Sequence, residues 1–275
     1  MIKPLVSIGV AAAATSLAHA DRMYAVDAST DGLYIFDSET GRTLRTIGPL
    51  NPDPDRYTTP ISMAVTDGFQ IFVINNSPAR DAGLSVVDRR TGRAFHIGGD
   101  VRNSIAFGPG GVLYGTDASG RLGTVSTTTG NVTRLSGPRL LTLYGLDYNP
   151  RDGFLYGIIS SASGAIPDLV RLSTRTGEIV ATIPLSRGID GFVPGSIAFE
   201  SDGDLIMTDG SRQVYEINPT SGFTRVRTSS SRAPQGLGLA PCLADVDASG
   251  ELNVFDFLEF QNLFDAGDTA ADLDG

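Results

Sequence analysis

A five-residue turn of the form Asp/Ser/Asn-x-x-Thr/Ser-Gly occurs five times in this chain, each time behind an apolar residue. It stands at Asp37–Gly41, Asp88–Gly92, Ser126–Gly130, Ser173–Gly177 and Asn218–Gly222. The first side chain can accept hydrogen bonds from the turn's own amides, and the closing Gly can take a positive φ. A short alternating stretch precedes each turn, such as Leu33-Tyr34-Ile35-Phe36 or Val214-Tyr215-Glu216-Ile217. Another follows it, such as Thr43–Ile47 or Glu178–Ile183. Alternation on both sides of a tight turn predicts a hairpin, so the repeats predict a chain of hairpins rather than a helical domain.

A second turn interleaves with the first, at Asp67-Gly68, Gly110-Gly111, Asp152-Gly153 and Asp202-Gly203. The stretches after it are aromatic and branched: Gln70–Ile74, Val112–Gly115, Phe154–Gly157 and Leu205–Met207. Those before it alternate small and large: Ser62–Val65, Ser104–Phe107, Gly145–Tyr148 and Ser196–Phe199, with Gly236–Leu239 as a fifth. Four short strands per unit of roughly 40–50 residues predict the blades of a propeller. Small residues mark the innermost strand, because blades crowd together at the axis. The series begins on a second strand, Met23–Val26, and ends on an innermost one, Gly236–Leu239. The expected fold is all-β: a five-bladed β-propeller over residues 21–241, closed by pairing of the N- and C-terminal strands, which leaves no open edge. These repeats resemble the YVTN/YncE-like and quinoprotein-like propellers, a likeness that concerns architecture.

The body is poor in catalytic material. His96 is its one histidine after residue 20, on an alternating stretch that predicts an exposed position. Zinc sites and His-based triads need more partners than that. No Walker motif, nucleophile elbow or dinucleotide fingerprint occurs. Paired carboxylates support glycosidase chemistry, and Asp27, Asp117, Asp147 and Asp209 are the candidates. Three of them recur at the end of a second strand, which predicts a turn-capping role. Asp147 differs: it stands on an innermost strand where other blades carry Ala or Gly. It is expected to point into the channel or, with more weight, to pair with an arginine. The residues before the innermost strands, Ile61, Asn103, Tyr144, Gly195 and Gln235, should ring one mouth. With Asp147, the trio Asn103, Tyr144 and Gln235 is the candidate funnel for a glycan or small ligand. The chain has no Trp, the residue that most often stacks on sugars; Tyr144 and Phe192 could substitute, but each reads better as packing.

The segment 242–275 is of another kind. In Asp245-Val246-Asp247-Ala248-Ser249-Gly250-Glu251-Leu252-Asn253-Val254-Phe255-Asp256, oxygen donors fall at positions 1, 3, 5 and 12, with Gly at position 6. That is EF-hand-like spacing for Ca2+. The expected ligands are Asp245, Asp247, Ser249, the carbonyl of Glu251 and Asp256, with Asn253 direct or through water. A helix should follow from Asn253 to Phe264, apolar around much of its circumference. The run from Cys242 to Asn262 resembles the GC-type dockerin domain. That likeness implies a cohesin-like or other extracellular scaffold as partner. Asp272-Leu273-Asp274-Gly275 reads as the opening of a second such loop, so either the chain is cut short or the second repeat has been lost. Cys242 is the sole cysteine, which excludes an intrachain disulfide.

Nine of the 31 acidic residues lie after Leu243 and no base does. Residues 21–241 carry 22 acids against 20 arginines, so the net charge of −10 is mostly the tail's. Bound calcium would relieve its self-repulsion, and no basic excess points to nucleic acid. Residues 1–20 read as a signal peptide, with Lys3, an apolar run from Leu5 to Leu17, and Ala18-His19-Ala20 before a cleavage between Ala20 and Asp21. No later stretch is long and apolar enough for a transmembrane helix. The expectation is a secreted or periplasmic, non-enzymatic binding or display protein attached through its tail. The alternative, suggested by the company dockerins keep, is a polysaccharide-active glycosidase or lyase.

Overall fold

The computed structural model describes residues 21–27, 29–51, 60–66, 68–75, 82–140, 143–159, 167–186, 194–209, 212–240 and 254–265. The alternating stretches form β1 (Arg22–Asp27), β2 (Gly32–Asp37) and β3 (Thr43–Pro49). Four sets of four follow. They are β4 (Pro60–Val65), β5 (Ile71–Asn75), β6 (Gly83–Val87) and β7 (Ala94–Gly98); then β8 (Val101–Phe107), β9 (Leu113–Asp117), β10 (Arg121–Val125) and β11 (Val132–Arg139). Next come β12 (Leu143–Asn149), β13 (Phe154–Ile159), β14 (Asp168–Ser173) and β15 (Ile179–Pro184). The last set is β16 (Pro194–Phe199), β17 (Leu205–Asp209), β18 (Gln213–Ile217) and β19 (Thr224–Ser229), and β20 (Pro234–Leu239) stands alone.

Each set is one antiparallel sheet in chain order, and β20 completes the first as β20-β1-β2-β3. Met23 pairs with Leu239, Tyr24 with Gly238 and Ala25 with Leu237. The fold is therefore an all-β five-bladed propeller, and its first blade joins two distant parts of the chain. One apolar cluster fills each interface between neighbouring blades. Tyr24, Val26, Leu33 and Ile35, for example, pack on Met63, Ile71, Val73 and Val87 between blades one and two. Burial of this kind, about 25 cal/mol per Å² of apolar surface, holds the ring together.

The first repeated turn joins the third and fourth strands of every blade. In blade one, Asp37 Oδ1 accepts from the amides of Glu39 at 3.0 Å and Thr40 at 2.7 Å. Gly41 closes the turn at φ 68°. A Cβ there would come within 2.4 Å of the Ser229 carbonyl oxygen on the neighbouring blade. Gly is required both by conformation and by the closeness of the next sheet.

The innermost strands β4, β8, β12, β16 and β20 neighbour one another in turn around the axis. Each carries a β-bulge near its start. Beside it, Ser62 Oγ accepts from the Ile105 amide at 3.1 Å, Ser104 Oγ donates to the Leu143 carbonyl at 2.9 Å, and Ser196 Oγ accepts from the Leu237 amide at 3.1 Å. The other two strands have glycine there. A Cβ on Gly145 would meet the Ile197 nitrogen at 2.8 Å, and one on Gly236 the Met63 Cβ at 3.1 Å. A buried hydroxyl or a missing side chain thus sets each approach between innermost strands.

The seam between blades five and one has further ties. The Ser201 amide and hydroxyl donate to the two carboxylate oxygens of Asp21. Ser38 Oγ donates to Glu200 Oε1, and Arg227 Nη1 to Glu200 Oε2. Arg227, with only 7% of its side chain exposed, also reaches Glu39 at 3.5 Å, Asp204 at 3.4 Å and Glu216 at 3.2 Å. Outside the propeller lies a single helix among the described residues, α1 (Val254–Asp265).

Candidate functional site

The repeated aspartates at the ends of second strands are occupied by their own turns. Asp27 Oδ1 accepts from the amide and hydroxyl of Ser29 at 2.9 and 2.7 Å. Asp117 Oδ1 accepts from the amides of Ser119 and Arg121 at 2.8 and 3.0 Å, and its Oδ2 meets Arg134. Burial alone would raise the Asp117 carboxyl, but these donors outweigh it and hold it at about 2. Asp209 accepts from the Gln213 amide at 2.9 Å and from the Tyr215 hydroxyl at 3.2 Å. All three are structural, as their recurrence predicts.

At the mouth where the innermost strands end there is a cavity of about 530 Å³. Phe69, Phe107, Tyr148 and Phe199 border it, together with Val65, Leu237 and Leu239 and a few polar groups, among them Asp147, Arg151 and Glu200. Phe69 reaches this mouth from an uncommon backbone state, at φ 57° in the turn between β4 and β5, where its amide donates to the Thr66 carbonyl at 2.8 Å. The corresponding turn positions in blades three and five are Gly111 and Gly203, at φ 71° and 90°. A bulky side chain where two other blades use glycine stores strain.

Asp147 is the acidic residue of the innermost strands. From β12 it faces blade five, and its Oδ2 accepts from the Phe199 amide at 2.6 Å. The residue as a whole is half-buried, open toward the cavity it lines. Burial pushes its carboxyl up to about 7, against the lowering effect of the Phe199 and Tyr148 amides. The expected arginine partner is replaced by backbone: among the described residues no salt bridge reaches Asp147. The edge of β16 lies close enough to offer its Phe199 N–H instead. Other buried carboxylates do have arginines, namely Asp117 with Arg134, Glu200 with Arg227 and Asp27 with Arg232 at 4.0 Å.

The other funnel residues lie at the opposite mouth, where the innermost strands begin. Asn103 sits in the bulge of β8 at φ 66°, half-buried. Tyr144 is half-buried and packs against the cluster between blades four and five. Gln235, on β20, pairs with Val26 of β1. None of the three borders the 530 Å³ cavity. Phe192 lies outside the described residues. His96 is exposed on β7, as expected. The aromatic lining of the cavity was not picked out from the sequence. The signal that identifies it is the large residue closing each innermost strand, Val65, Phe107, Tyr148, Phe199 and Leu239, read as a ring rather than as five separate core positions.

Of the calcium ligands expected in the tail, Asp245, Asp247, Ser249, Glu251 and Asn253 lie outside the described residues. Asp256 falls in the first turn of α1, which starts one residue after the expected boundary. Val254, Phe255, Phe257, Leu258 and Phe264 of this helix are exposed, and the Phe260 and Phe264 rings stack at 6.1 Å. In the propeller, carboxylate oxygens of Glu200, Asp202 and Asp204 gather within 4.8 Å of one another. Arg227 already serves two of them. No helix among the described residues is long and apolar enough to cross a membrane.

No family model matches the chain, and no curated protein sequence matches it. Solved structures do. A chain of a nidogen/laminin complex is 15% identical with a TM-score of 0.50, over 80% of this chain and 82% of that one. A Bacteroides caccae protein of unknown function is 15% identical with a TM-score of 0.42, over 75% and 71%. A virginiamycin B lyase from Staphylococcus aureus is 19% identical with a TM-score of 0.40, over 63% of this chain and 56% of the lyase. At such identities the likeness concerns the fold, which the nidogen/laminin chain shares over most of both lengths.

Proposed function

We propose that this chain is a secreted, non-enzymatic binding propeller, held outside the cell by a calcium-binding tail. The observation that carries the binding reading is the cavity with its single carboxyl lacking an arginine partner. Acid–base chemistry on a glycosidic bond needs two carboxylates in complementary states. Here Asp27, Asp117 and Asp209 serve their turns, and Glu200 is committed to Arg227 and Ser38. The tail reading rests on the oxygen spacing from Asp245 to Asp256, with Asp247, Ser249, Glu251 and Asn253 between them, and on α1 beginning where that loop should deliver its last ligand. Calcium there would neutralise an acidic segment and start the helix. The exposed face of Phe257, Leu258 and Phe264 then suits a cohesin-like scaffold partner.

The test has two arms. A glycan and small-ligand panel on the full chain, run beside a polysaccharide hydrolysis and elimination screen, should give binding without turnover. Turnover lost in Asp147→Asn would establish the enzyme reading instead, with Asp147 as the proton carrier. In the second arm, a calcium chelator should release the protein from the producing cell's surface, and deletion of Leu243–Gly275 should prevent its retention. Equal retention of the tail-less body overturns the attachment reading.

A further inference from the structure

We infer that the cavity at the closing mouth takes an organic cation the size of a quaternary ammonium, its charge met by Asp147 and its methyl groups by the surrounding aromatic and aliphatic side chains. This rests on the cavity being the ligand site. Three observations lead to the cation. First, Asp147 stands where Ala64, Ala106 and Ala198 stand in other blades, so the fold has no need of a carboxylate at this position. Second, Asp147 has backbone donors and no cationic partner among the described residues. A carboxylate in such surroundings resists ionisation unless a positive charge arrives. Third, Phe69 is held in a strained left-handed conformation at the cavity wall, where blades three and five relax into glycine. Strain kept at a ligand-facing aromatic is expected where the ring contributes to binding.

The same residues argue against a divalent metal. Ca2+ and Mg2+ demand six or more oxygens, and this wall is more apolar than polar, with Asp147 its one carboxylate lacking an arginine partner among the described residues. Asn149 Oδ1, the nearby amide oxygen, already accepts from the Arg151 amide at 2.9 Å. A soft, weakly hydrated cation asks for less: one counter-charge and apolar contact. The other titratable groups bordering the cavity are Tyr148, Arg151 and Glu200. Arg151 is exposed at the rim, reaching toward the Ser201 carbonyl at 3.5 Å, and Glu200 is held by Arg227. Asp147 is therefore the group whose ionisation the ligand would feel.

The experiment is calorimetry on the full chain with choline and with its neutral isostere 3,3-dimethyl-1-butanol. Choline should bind at pH 8 and the alcohol at least about tenfold more weakly, the scale of a desolvated cation–carboxylate contact. Lowering the pH from 8 to 6 should weaken choline about tenfold, because a group titrating near 7 is then mostly protonated. Asp147→Ala, the residue found in three other blades, should remove both the choline preference and its pH dependence while the protein melts no lower than the parent. Phe69→Gly should weaken choline severalfold without lowering the melting temperature. If the alcohol binds as well as choline and Asp147→Ala changes neither, the cation inference is overturned while the cavity remains a ligand site. If neither probe binds, the inference is overturned, and the binding reading then depends on the glycan and small-ligand panel.

Discussion

Single residues in this propeller are held by what the adjacent blade puts against them. Asp147 is the clearest case. Its carboxyl titrates near 7 when folded and near 3.9 when unfolded. The folded state therefore keeps a proton that the unfolded chain has released, and stability falls as pH rises from about 4 to 7, then levels off. At pH 8, Asp147→Ala should be more stable than the parent by roughly 1–3 kcal/mol, after the lost amide contact is subtracted. The gap should close as the pH approaches 4. Chemical denaturation at both pH values checks this, and a variant that is less stable at pH 8 contradicts it. Asp117 behaves oppositely: held at about 2, it contributes stability above pH 4 that is lost as pH falls through 2. Gly41→Ala should cost roughly 1–3 kcal/mol from backbone strain, and more from the meeting with Ser229, read as a lower denaturant midpoint. The need for Gly41 is legible in the sequence because the turn repeats. The partner of Asp147 is not, because it lies 52 residues on, across a blade boundary.

At the scale of strands, the decisive pairing is β20 on β1. A chain ending at Ser231 loses the innermost strand of blade one, exposes the inner edge of β1 and opens the ring at β4 and β16. It should melt more than about 10 °C below the parent, since each kcal/mol moves a domain of this size by about 2–4 °C. A chain ending at Ala240 keeps β20 and should melt with the parent body, so equal melting of the two truncations would defeat the closure. The seam beside that pairing depends on Arg227. Burial, more than Ser38 or Arg227 can offset, raises the Glu200 carboxyl. Arg227→Ala leaves that group without its main partner and should cost about 3–5 kcal/mol, and adding Glu200→Gln should recover part of the loss. Strand order, turn positions and the split first blade were all readable from the alternation of small and large residues. The bulge in each innermost strand and the serine–glycine ring were not. They join residues about one blade apart, and single-chain periodicity carries no information about which sheet faces which.

For the molecule as a whole, ring closure means that no blade is independent. Every blade has two apolar faces, and each face is buried only by its neighbours. Unfolding of the body in denaturant should therefore be a single transition with coincident fluorescence and circular-dichroism midpoints. A populated species retaining two or three blades would show the ring to be divisible. The split blade also has a consequence in time. A chain emerging amino end first presents Met23 to Val26 more than two hundred residues before their partners Leu237 to Leu239. β1 must wait, unpaired on one side, for that length of synthesis or transport, and the ring can close only once β20 is free.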